Sequence, residues 1–161
     1  MVVGLIMLPT TTQLDKVSGE TVPLRPHIIP PPAPGPVPKP DPRTARLRQF
    51  LKSLHCPVSS MAEDFIHAAD DNHLDWRLLP SIAVIESGGG KAYRSNNIFG
   101  WDQGLMSFPS IRAGLHLVAF KLGRAPLYRN LDVLGKLHYY NPDESYPGKV
   151  LAVMNRISPV E

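Results

Sequence analysis

LDWRLLPSIAVIESGGGKAYRSNNIFGW, running from Leu74 to Trp101, is the stretch whose reading decides the fold. Asp75 is a good helix N-cap type, Trp76 to Ile85 form a nearly continuous apolar run, and Ser87-Gly88-Gly89-Gly90 cannot continue a helix. The pattern predicts a buried helix ending at or beside Glu86. Pro80 would interrupt that helix unless it lies in the first turn, so its regular part is expected to begin nearer Leu78.

A carboxylate at a helix C-terminus meets the partial negative charge of unpaired carbonyls. Apolar neighbours Ile82, Val84 and Ile85 add desolvation, and both effects push the Glu86 pKa up. A carboxyl that keeps its proton near neutral pH is what general-acid cleavage of a glycosidic bond requires. The glycines that follow carry no side chains, so an extended substrate is expected to approach the acid closely. The plain alternative is a solvated Glu at a fraying helix end.

Downstream, Asn96-Asn97 followed by Ile98-Phe99-Gly100-Trp101 predicts a turn into a short strand or hairpin. Amide side chains there can hydrogen-bond sugar hydroxyls and acetamido groups, and Phe99 and Trp101 can stack on pyranose faces. The same residue types also cap turns and fill cores. Phe99 is better explained by the core, and for Asn97 and Trp101 the two readings stand level.

Helical spacing predicts further elements on both sides. Leu47, Phe50, Leu51 and Leu54 place one helix over Arg43 to His55, and a Ser60/Glu63 capping box opens a second over Met61 to His73. Ser107 to Leu122, Asn130 to Leu137 and Tyr146 to Ile157 follow, with Pro109 in a first turn, Gly123 as a stop, and a cap near Asn130 or Asp132.

Three stretches in this order, Glu86 to Lys91, Asn96 to Trp101 and Tyr139 to Val150, resemble the bacterial glucosaminidase family. Its endo-beta-N-acetylglucosaminidase-like domains have the lysozyme-like fold that lytic transglycosylases also use. The resemblance spans residues 60–157 approximately. It implies a mainly α, lysozyme-like helical domain with a small β-hairpin insert over residues 43–161; the proline content, not the resemblance, predicts a disordered arm over residues 1–42. Glu86 takes the place of the catalytic acid, and Asn96, Asn97, Phe99 and Gly100 take that of a stretch shaping the groove. Tyr140 and Tyr146 match a tyrosine pair whose first member lies near the acid. The implied activity is cleavage of β-1,4 bonds in peptidoglycan glycan strands by Glu86 and Tyr140, with Asn96, Asn97, Phe99, Trp101 and Tyr146 contacting sugar.

The sequence departs from the family at Gly89, where a bulky residue is usual, and in the short segment between Glu86 and Asn96. Little room is left there for a second carboxylate, and Asp102, Asp143 and Glu144 are the nearest candidates. Hydrolysis, transglycosylation and glycan binding without turnover all stay open. No cofactor is implied, a monomer is expected, and the polymer's location implies the periplasm, the cell wall or the exterior.

Composition narrows the rest. Eleven of eighteen prolines precede residue 43, and Pro23 to Pro42 is expected to form a polyproline II spacer. Val2 to Leu8 is apolar but too short to span a bilayer, and no export signal is evident. The formal charge of +3 suits an anionic polymer, yet the cations are scattered rather than interleaved with aromatics, which disfavours nucleic acid. Cys56 is the single cysteine, so no intrachain disulfide exists, and it reads as a small buried hydrophobe. His67 and His73 lie on different faces of one helix and make no metal pair.

Overall fold

Asp41 begins the fold: its carboxylate accepts the Arg43 N–H at 2.8 Å, and Pro42 occupies the first helical position, where its missing N–H costs nothing. The computed structural model describes residues 39–159. The apolar start and nearly all of the expected polyproline arm lie outside the described residues. Among these residues the chain is mainly helical: α1 Pro42–Ser53, a 3₁₀ turn Pro57–Met61, α2 Ala62–Asp71, α3 Leu78–Ser87, α4 Ile111–Arg124, α5 Val133–Tyr140 and α6 Tyr146–Ile157.

Helix α3 lies in the core. Its residues Leu78 to Ala83 are all buried, as a helix that is apolar nearly all round must be. It packs against α6 and α2, while α2 also packs against α1 and α4, and α5 packs against α6. Phe65 of α2 meets Phe99 edge-on at 6.4 Å within a buried cluster that also includes Leu79, Ile82 and Leu115. Arg77 ties the start of α3 to the end of α6 by donating to the Ser158 carbonyl at 2.7 Å.

Several expected boundaries are corrected. Pro57 starts a 3₁₀ turn that runs directly into α2, so the cap position falls on Met61 and the Ser60/Glu63 box is not used. Asp75 is not the N-cap of α3; three residues ahead of the helix, its carboxylate accepts the Arg77 N–H and pairs with the Arg77 guanidinium. Helix α4 starts at Ile111, capped by Ser110, and runs through Gly123, because Ala125 turns extended ahead of Pro126. Helix α5 begins three residues later than expected, with Asp132 as its cap, and ends three residues later, at Tyr140.

The β-hairpin insert is absent from the described residues. Arg94 and Asn97 form one isolated antiparallel bridge, and no strand develops. Ser95, Asn96, Gly100, Asp102, Gln103 and Gly104 all have left-handed φ angles between 52° and 80°, which coil the chain instead of extending it into a ladder.

Candidate active site

Glu86 is the penultimate residue of α3. Gly88 ends the helix in the left-handed conformation (φ 62°, ψ 31°), and Gly88 and Gly89 N–H groups donate to Val84 and Ala83 carbonyls at 3.0 and 2.9 Å. Ser87 reinforces the stop: its hydroxyl donates to the Ala83 carbonyl and accepts from the Gly90 N–H.

The glycine run serves packing, which corrects the expectation that it opens a path for substrate. A Cβ on Gly89 would lie 2.4 Å from Cys56 Sγ, and one on Gly90 would lie 3.0 Å from Val58. The 56–58 segment fills the space beside Gly89 and Gly90. Cys56 is buried, as its reading as a small hydrophobe requires.

The backbone that approaches the acid is Gly100. Its ideal Cβ would stand 2.5 Å from Glu86 Oε2 at a left-handed φ of 62°, so a larger residue there would have to displace the carboxyl. Two asparagines fold that loop. Asn97 donates to the Trp101 and Met106 carbonyls and accepts the Trp101 N–H, and Asn96 donates to the Phe108 carbonyl.

Glu86, Gly100 and Trp101 meet Tyr140 and Asn141 across an open cleft of about 820 Å³, a size ordinary for a ligand site. Asp102, Lys121 and Tyr128 also line it. Partial burial raises the Glu86 pKa, and the Tyr146 hydroxyl opposes this by favouring the carboxylate. That hydroxyl is buried and makes no well-formed hydrogen bond, so Glu86 is the polar group it can turn to. Tyr140 stacks on Tyr146 (centroids 5.8 Å apart, planes 10° apart) and donates to the Phe99 carbonyl. Burial, then the nearby Glu86 charge, hold the Tyr140 phenol far above its usual pKa, so it stays protonated.

The expected site residues therefore divide. Glu86, Trp101 and Tyr140 reach the cleft. Phe99 is fully buried and contributes its carbonyl, not its ring; Asn97 is buried with its amide committed to the loop; Asn96 is an anchor of the same loop. The Phe99 ring and the Asn97 amide are thereby withheld from sugar, and Asn96, half-buried, does not line the cleft. Tyr146 is buried behind Tyr140 and acts on Glu86, not on substrate. Of the carboxylates considered as a second group, Asp102 lines the cleft, whereas Asp143 is exposed and occupied by Ser145 and Lys149.

Sequence reasoning missed Tyr128 and Lys121. Tyr128 lies in an irregular turn with no local pattern to mark it, and Lys121 stands at an exposed position of α4 that resembles any other surface lysine. Among the described residues no helix is long and apolar enough to cross a membrane, and no group of three or more His, Cys, Asp or Glu is arranged to hold a metal. No family model, curated protein or solved structure matches this chain.

Proposed function

We propose that the protein is a glycosidase of peptidoglycan with a lysozyme-like helical domain, cleaving β-1,4 bonds that have N-acetylglucosamine on the non-reducing side. The observation that carries this reading is Glu86: a partly desolvated carboxyl with a raised pKa, pinned by Gly100, at the wall of an open cleft. Protonated Glu86 gives its proton to the leaving glycosidic oxygen. Trp101 supplies a ring for a sugar face, and Lys121 a cation for the lactyl or peptide carboxylates of the strand. The substrate places the protein in the periplasm, the cell wall or outside the cell, working as a monomer.

Asp102 on the cleft wall is the group that activates water in a hydrolase. One observation favours a second route. Asp102 is the one carboxylate besides Glu86 that lines the cleft among the described residues, and a substrate that brings its own nucleophile does not depend on it. In that route the acetamido group of the N-acetylglucosamine takes its own anomeric carbon as the protonated glycosidic oxygen leaves; a lytic transglycosylase would instead cut the bond with the muramoyl unit on the non-reducing side, where that unit's 6-hydroxyl takes its own anomeric carbon.

Mass spectrometry of soluble products from purified peptidoglycan tests both. Wild type is expected to release fragments, with a reducing end for hydrolysis and an anhydro end for transglycosylation. Glu86→Gln is expected to lose about a hundred- to ten-thousandfold of that rate. Equal release by both proteins sinks the proposal, and binding by both with release by neither leaves a glycan-binding module.

A further inference from the structure

Five aromatic rings run in an unbroken series away from the acid. Tyr146 stacks on Tyr140; Tyr140 meets the edge of Trp101 at 5.6 Å; Trp101 lies 6.2 Å from Tyr128; Tyr128 lies 6.4 Å from Tyr139. Exposure changes sharply at the outer end. Tyr146 and Tyr128 are 3% and 8% exposed, but Tyr139 is 61% exposed.

Packing accounts for the inner four rings and not for the fifth. Trp101, Tyr128 and Tyr140 line the cleft, and Tyr139 adjoins that wall through Tyr128 without lining it. Helix α5 gives both tyrosines a fixed base, and consecutive helical residues project about 100° apart. Tyr140 is thereby turned into the cleft while Tyr139 stands on its outer shoulder. With more than half of its surface open to solvent, the Tyr139 phenol ring is available to the apolar C–H side of a pyranose.

We propose that Tyr139 forms a distal sugar-stacking subsite, outside the cleft, that engages further sugars of the strand and makes the protein prefer long glycans over short ones. This rests on the glycan-cleaving reading of the cleft. The occupant follows from continuity: a polymer lying over Trp101 and Tyr128 leaves the cleft past Tyr139.

The two readings separate when binding and cleavage are measured apart. In the Glu86→Gln background, affinity is measured by calorimetry for long peptide-free glycan strands and for a single disaccharide unit. Adding Tyr139→Ala is expected to weaken long-strand binding about three- to tenfold, the size of one ring-stacking contact, and to leave the disaccharide unchanged. Tyr139→Phe is expected to bind like the parent. The subsite is refuted if long strands do not bind, if Tyr139→Ala binds them like the parent, if it loses equally on both lengths, or if Tyr139→Phe is as weak as Tyr139→Ala. Fragment release by proteins with Glu86 intact reports on catalysis alone. Length-dependent binding without release would retain the subsite and overturn the glycosidase.

Discussion

Gly100→Ala tests how the acid is held. Gly100 has φ +62°, where an L residue carries a backbone cost of about 1–2 kcal/mol. The added Cβ would also stand 2.5 Å from Glu86 Oε2 and 3.2 Å from Cδ, while ordinary contact begins near 3.4 Å. The carboxyl must therefore withdraw by about 1 Å, a displacement that costs catalysis about a hundredfold when it moves a reacting group. Gly104 is the internal control: it lies in the same loop at φ +80° with nothing within 4 Å of its Cβ, so Gly104→Ala carries the backbone cost alone. Urea unfolding should show both variants destabilised by about 1–2 kcal/mol, with a further loss confined to Gly100→Ala. Combining Gly100→Ala with Glu86→Ala should remove that further loss, a coupling of at least about 0.5 kcal/mol. Fragment release from purified peptidoglycan should fall far more in Gly100→Ala than in Gly104→Ala. If the two alanines behave alike in stability and in turnover, Gly100 does not position the acid.

The pH dependence follows from the raised Glu86 pKa. A general acid works while protonated, so turnover should fall as pH rises through that value. The Tyr146 hydroxyl favours the carboxylate, so Tyr146→Phe should raise the Glu86 pKa further and move this alkaline limb to higher pH; a limb that stays put or moves down contradicts the assignment. Two helical glycines should respond to alanine with opposite signs in urea melts. A Cβ on Gly123 of α4 would lie 2.1 Å from the Asn72 carbonyl oxygen, so Gly123→Ala should cost about 1–3 kcal/mol or more, whereas Gly148 of α6 meets nothing within 4 Å and Gly148→Ala should gain about 0.5–1 kcal/mol.

Much of the helical frame was legible because local rules decided it. Tyr146–Ile157 was expected residue for residue from its apolar spacing, and α3 begins at Leu78 with Pro80 in its first turn, as the proline required. The misread boundaries depend on neighbours along the chain. Ser60 is a good capping residue, but Pro57 had already started the turn that consumed its position. Gly123 looked like a stop and is a contact, since its missing side chain lets α4 lie against the end of α2. The site divides in the same way. A carboxyl delivered to the end of an apolar helix is readable from sequence, whereas the partners of Asn96 and Asn97 are backbone carbonyls that only the coiled loop brings near.

Stability alone gives no reason for an acid at position 86. Among the described residues no ion pair involves Glu86, and no cation contributes to its pKa shift. The one polar group that eases its burial is the Tyr146 hydroxyl, itself short of a partner. A glutamine of nearly the same shape would sit there without a charge to desolvate, and leucine would suit the apolar helix behind it. Yet the chain makes room for this side chain: Gly100 lacks the Cβ that would meet its carboxyl, and Ser87 with Gly88 fixes the backbone that carries it. An unpaired, partly desolvated carboxyl in a rigid frame, facing an open cleft, is costly for folding and suited to passing a proton. That mismatch between what packing needs and what the chain supplies is the physical reason to propose Glu86 as the catalytic acid.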